Sequence, residues 1–232
     1  MGTFKDSLKK WFYTQGTAAG TTGSRIPLLD ASGNPIGSNT MANVKKLLEQ
    51  ALPTIGNVMV VTNADSRTRF WPADRALESS IASIAVGAGI IENGKTLIIA
   101  KDQASKKWAE SQVTGGTTVI STRRSAIADF EGREKTTTIL TTLGDNAPAA
   151  KYCNDYYPSN VQAADENMGA GRWWLPSLGE LAMIWAHVRK INFVMAAIGG
   201  TAISVGSGYY WSSTENSATN AWNLCSSNGN FY

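Results

Sequence analysis

Hydrophobic positions near the start of the chain recur at helical spacing: Phe4, Leu8, Trp11 and Phe12 stand at i, i+4, i+7 and i+8, one face of a short helix. A Gly-, Thr- and Ala-rich stretch over 16–23 follows and reads as a flexible linker. The apolar run Ile26-Pro27-Leu28-Leu29 then meets turn residues over 30–37, ahead of a second helix with Val44, Leu47, Leu48 and Leu52 on one side. Amphipathic pieces this short bury their stripes only against a neighbour. Residues 1–75 are therefore expected to form an N-terminal attachment and oligomerisation region, of helical and extended character, packed on partner chains. Packing of the same pieces on the chain's own C-terminal domain is the alternative.

From Leu77 onward the pattern is denser. Leu77, Ile81 and Ile84 have helical spacing. The runs Ala88-Gly89-Ile90-Ile91 and Thr96-Leu97-Ile98-Ile99-Ala100 flank Glu92-Asn93-Gly94-Lys95, and Asn-Gly between two β-rich runs is a strong hairpin signal. Val119-Ile120 reads as a short strand, and 126–140 and 147–156 as helices broken at Gly144 and Pro148. Ser177 and Glu180 make a capping box directly before Leu181, Ile184, Trp185 and Val188, which predicts a helix. Ile191, Val194, Met195 and Ile198 predict another, stopped by Gly199-Gly200. Beyond it lie short β-like runs rich in Ser, Asn and Tyr. The expected fold class is α+β, with a domain over 76–232.

Composition narrows the class without naming a partner. With 43% hydrophobic and 17% charged residues, the chain is too apolar to be disordered and has no apolar run long enough to span a membrane. Its 21 basic and 18 acidic residues leave a charge of +3, scattered along the chain, so neither nucleic-acid binding nor membrane insertion is expected. Residues 1–6 lack the features of a secretory signal. Two cysteines, Cys153 and Cys225, have no metal-ligand spacing, and either a disulfide or two free thiols is open.

Catalytic constellations find little support. His187 is the sole histidine and sits inside an amphipathic pattern with no nucleophile beside it, which favours a structural or surface role. Asp165 and Glu166 read as solvated loop charges, because adjacency does not provide two-sided acid/base geometry. The Gly-Gly pairs at 115–116 and 199–200 lack the rest of a nucleotide fingerprint and read as turns. Trp173, Trp174 and Trp211 could form a sugar platform, although core packing is the favoured reading. No catalytic residue, metal ligand or cofactor is expected.

The segment 208–232 is dominated by Tyr, Ser, Asn, Thr and Gly and contains no Lys, Arg or Gln. Antibody binding loops use this palette: Tyr supplies contact area at low entropic cost, and Ser, Gly and Asn supply adaptable hydrogen bonds. Composition alone leaves open a set of surface strands and turns that binds nothing.

The succession Ala149-Ala150-Lys151-Tyr152-Cys153, then Gly171-Arg172-Trp173-Trp174-Leu175-Pro176-Ser177-Leu178-Gly179-Glu180-Leu181, then Tyr210-Trp211-Ser212-Ser213-Thr214-Glu215 and Ala221-Trp222 resembles the variable proteins of diversity-generating retroelements over about residues 80–232. The resemblance implies a C-type-lectin-like fold related to the formylglycine-generating enzymes, without implying lectin activity. It also implies that adenine-directed diversification, through template codons such as AAC, reaches 216–217, 219–220 and 223–232. Trp174, Leu175, Pro176, Glu180, Trp211, Ser212, Ser213, Thr214 and Trp222 would then be scaffold. Tyr209, Asn216, Ser217, Thr219, Asn220, Asn223, Leu224, Cys225, Ser226, Asn228, Asn230, Phe231 and Tyr232 would be the exposed ligand-contacting set. Cys225 on this account is a product of diversification, which argues against an obligatory disulfide. The chain departs from the lectin pattern in lacking the calcium and sugar motifs, so calcium-dependent sugar binding is not expected. Family members also usually continue into a final strand past the point where this chain stops, at Phe231-Tyr232.

The stretch Ser24 to Gly33 and the helix after it are similar to the heads of phage tail-fibre proteins. Together the resemblances imply a receptor-binding protein of a phage virion, trimeric, docked on tail or baseplate proteins through residues 1–75 and binding a host cell-surface protein or glycan through its C-terminal domain. A diversified protein displayed on a bacterial cell surface and a formylglycine-generating-like oxidase are the alternatives.

Overall fold

The computed structural model describes residues 25–29, 35–40 and 58–232. The chain divides into two units, Met1–Thr54 and Ile55–Tyr232. In the first, Arg25–Leu29 (β1) pairs antiparallel with Pro35–Thr40 (β2), Arg25 opposite Thr40. The helices expected over 3–13 and around 44–52 lie outside the described residues. The second unit starts before residue 76. It includes two strands over 58–72, whose turn no Gly or Pro marks.

The second unit is mixed α and β, built on a four-stranded antiparallel sheet in the order β4-β3-β5-β6. Its strands are Val58–Ala64 (β3), Arg67–Pro72 (β4), Ala85–Glu92 (β5) and Lys95–Ala100 (β6). Asn93 and Gly94 occupy the left-handed region at φ 49 and 72, the geometry of a two-residue hairpin turn, which places Glu92 opposite Lys95 as expected. Asp65 and Ser66, at φ 52 and 55, make the same turn between β3 and β4 without a glycine. Asn167 holds it from outside, donating from Nδ2 to Ser66 O.

Both faces of this sheet are covered. On one, Val58, Val60, Ala88, Ile90 and Leu97 pack with Ile191, Val194, Met195 and Ile198. On the other, Val61 and Val86 meet Val161 and Met168 from the irregular segment before Trp173. The strands consequently carry near-continuous apolar runs, buried on successive residues from Ala85 to Ile90.

The helices are Ser79–Ala82 (α1), Arg123–Ile127 (α2), Gly132–Leu143 (α3), Pro148–Asp155 (α4), Leu178–Ala186 (α5) and Val188–Ala197 (α6). The capping box forms as the sequence predicts: Ser177 Oγ accepts from Glu180 N, and Ser177 N donates to Glu180 Oε2 at 2.8 Å. The helical stretch expected over 126–140 is two helices, because the chain turns at Ala128–Glu131 and Asp129 enters the interior. Val119-Ile120 is not a strand, although Ile120 N donates to Glu215 O at 2.9 Å. His187 stands at the junction of α5 and α6 at φ −112, and its Nε2 lies 2.8 Å from Glu92 Oε2, tying the helix pair to the end of β5.

Candidate functional site

The C-terminal runs form an antiparallel hairpin, Tyr209–Ser217 (β7) with Asn220–Cys225 (β8), Tyr209 opposite Cys225 and Ser217 opposite Asn220. Register shifts on either side of Glu215 put more residues on β7 than on β8. A strand that bulges turns side chains off strict alternation, and Ser212, Ser213, Thr214 and Glu215 are all buried in succession.

Each of these four is anchored. Ser212 Oγ donates to Trp222 O at 2.8 Å, and its carbonyl accepts from Trp108 Nε1 at 2.9 Å. Ser213 N donates to Pro176 O. Thr214 Oγ1 donates to Asp129 Oδ2 at 2.6 Å and accepts from Leu178 N at 2.9 Å. Glu215 accepts from Gly115 N at 2.7 Å, Thr117 N at 2.9 Å and Thr117 Oγ1 at 2.6 Å. A carboxylate buried this deeply is tolerable because three donors replace its water.

The second motif meets the first at Asp129. Asp129 O accepts from Ser177 Oγ at 2.7 Å and from Gly179 N at 3.1 Å, and Lys135 Nζ lies 3.7 Å from its carboxylate. Burial pushes the Glu180 carboxyl above its ordinary value, against the opposing pull of Ser177 N and Trp174 Nε1, the latter at 3.1 Å. Leu175 N donates to Thr136 Oγ1 at 3.0 Å, and Trp222 Nε1 to Ile120 O at 2.7 Å. Trp174, Leu175, Pro176, Glu180, Trp211, Ser212, Ser213, Thr214 and Trp222 thus all belong to the interior or its margin. Asp129 is a hub that no local pattern marks, and Glu215, the last residue of the Tyr210–Glu215 motif, is a second.

Around that frame the expected contact residues separate into three groups. Asn216, Ser217, Thr219 and Asn220 surround the β7–β8 turn, half-buried to exposed. Tyr209, Asn228 and Asn230 lie at the other end, while Phe231 and Tyr232 return along β8 beside Leu224 and Asn223, with Tyr209 65% and Tyr232 53% exposed. At a rise of about 3.3 Å per residue Tyr209 and Asn216 are roughly 20 Å apart along β7. Leu224, Cys225 and Ser226 are buried, at 1%, 5% and 0% exposure, and are corrected out of the exposed set. Leu224 packs inward, and Ser226 Oγ donates to Ser207 O at 2.7 Å, holding the chain end against the start of β7. Asn223 is half-buried, and its Oδ1 has no partner among the described residues.

A cavity of about 900 Å³ opens beside the hairpin, walled by β6, the segment 173–176 and the start of β7. Trp173, Trp174 and Trp211 are half-buried and line it, so they serve the core and the cavity together. Trp173 Nε1 donates to Met168 O, Tyr156 OH to Asp102 Oδ2 and Tyr210 OH to Gln103 Oε1. Cys153 also lines the cavity, and burial pushes its thiol up to about 12. Both cysteines are free. Ser227 hydroxyl at 3.1 Å lowers the Cys225 thiol.

Asp165 is not the solvated loop charge expected of it. Its Oδ1 accepts from Asn167 N and Met168 N, both at 2.8 Å, and its Oδ2 from Asn63 Nδ2 at 3.2 Å, which ties the 160s segment to β3. Glu166 is exposed. The glycine pairs turn as predicted, with Gly116 at φ 78 and Gly199 at φ 68. Among the described residues, no helix is long and apolar enough to cross a membrane. No family model, curated protein or solved structure matches this chain.

Proposed function

We propose that residues 55–232 form a C-type-lectin-like domain that binds and does not catalyse, presenting a retroelement-diversified face on the β7–β8 hairpin to a host surface receptor. On this reading the chain is a phage tail receptor-binding protein, and its N-terminal unit supplies attachment and trimerisation. The carrying observation is the division of labour within one hairpin. Ser212 to Glu215 and Trp222 are buried and bonded into the frame, whereas the Asn, Ser, Thr and Tyr residues around them are half-buried to exposed. Side chains of the second kind can be exchanged without removing a buried bond, which is what a randomised surface needs. Several copies on one particle would raise weak single-site affinity by avidity.

The test is sequencing of the coding region for residues 208–232 across a population carrying it. Expected are substitutions at adenine positions for 216, 217, 219, 220, 228 and 230–232, with 211–215 and 222 constant. A segment invariant throughout, or variation that strikes 212–215 as often as 219–220, would sink the reading.

A further inference from the structure

The cavity beside the hairpin has a shape that its lining reveals. Leu97, Ile98, Ile99 and Ala100 all border it, although successive side chains of a strand point to opposite faces. Leu97 and Ile99 indeed belong to the core on one side of the sheet and Ile98 to the cluster on the other. A space bordered by all four therefore runs along the edge of β6, not over one face. β6 is the terminal strand of its sheet, and among the described residues no backbone group pairs with its outer edge. Tyr209, Tyr210 and Trp211, again consecutive, also border it.

We propose that this cleft is a strand-acceptor site, seating one extended segment of a partner polypeptide along the open edge of β6. The open backbone edge favours a peptide. Trp173, Trp174, Tyr156 and Tyr210 have already committed their polar tips inside the protein, and Asp102, Gln103, Ser105, Lys106 and Ser207 supply the polar part of the lining. A strand brings apolar side chains for both walls and backbone groups for the edge. Asn223 lines the same cleft, and its buried Oδ1 has no partner among the described residues. The four residues of β6 that border the cleft, Leu97 to Ala100, offer an edge about 13 Å long. A long, unpaired edge beside apolar walls is otherwise a liability that proteins cover. The proposal does not rest on reading the hairpin as a receptor-binding face.

The experiment uses the full chain and a blocked peptide, Lys-Val-Ile-Val-Ile-Val-Lys, apolar on both faces. Its controls are the same peptide N-methylated at alternate residues, in either phase, which keeps the side chains and removes the donors of one edge. Titration calorimetry should give saturable binding of the plain peptide, with amide exchange slowed across residues 96–100. Methylation of the edge facing β6 should weaken binding by about tenfold or more. Ala104 is exposed and lines the cleft, so Ala104→Trp should block the peptide while leaving the near-ultraviolet circular dichroism of the fold intact. Equal binding of plain and both methylated peptides would reduce the cleft to an apolar cavity and overturn the proposal, as would no binding of any. Protection of 96–100 that rises with protein concentration, without peptide, would assign the edge to a second copy and overturn it too.

Discussion

Thr214 shows how much one hydroxyl holds. It donates to Asp129 Oδ2 and accepts from Leu178 N, so it joins β7 to the loop between α2 and α3 and to the first turn of α5. Thr214→Val keeps the shape and strands a buried carboxylate oxygen and a buried N–H, each costing about 1–3 kcal/mol. A loss of roughly 2–5 kcal/mol in chemical denaturation is expected, with Thr214→Ser recovering most of it. Glu180 adds a pH dependence. Its folded carboxyl titrates above the ordinary 4.5, so the folded chain binds that proton more tightly than the unfolded chain. Its contribution to stability is full below the ordinary value and declines as pH rises through the folded value. Glu180→Gln still accepts from Ser177 N and should remove that decline, read as a flatter plot of denaturation midpoint against pH. An unchanged slope would show that burial does not govern this carboxyl.

At the scale of elements, α5 is placed by its N-terminus. Gly179 sits at its second position, where an added Cβ would collide with the carbonyls of Ile127 and Asp129 at the end of α2. Intrinsic propensity favours Ala over Gly in a helix by about 1 kcal/mol, and overpacking opposes it by about 1–3 kcal/mol. The close approach to backbone, which cannot swing aside, makes the second effect win. Gly179→Ala should therefore lower the melting temperature, whereas a rise would mean that α2 yields. The elements legible in sequence are those closed locally: the Asn93-Gly94 hairpin and the Ser177–Glu180 capping box need only neighbours within four residues. The β3–β4 hairpin was missed because Asp65-Ser66 adopts left-handed geometry without glycine, helped by the distant Asn167.

For the whole molecule, the four-stranded sheet is covered on both faces by residues of the same unit, from Val58 to Ile203. A fragment beginning at Ile55 should accordingly unfold in one cooperative transition with native near-ultraviolet circular dichroism. Broad, non-cooperative melting would show that the first unit completes the core.

By itself the sequence determined the α+β class, the start of the helix capped by Ser177 and the stop at Gly199, and the split between motif positions and a Ser-, Asn- and Tyr-rich end, since periodicity, caps and turn chemistry act over a few residues. Tertiary structure alone decided which of those positions face solvent. Leu224, Cys225 and Ser226 look as exchangeable as Asn228 in composition, yet β8 and the returning chain end bury them. It also decided that Asp129 and Glu215 become hubs and that β6 keeps an open edge. Those facts depend on partners about 100 residues away, such as Gly115 and Thr117 on Glu215, and no local spacing encodes a contact that only folding creates.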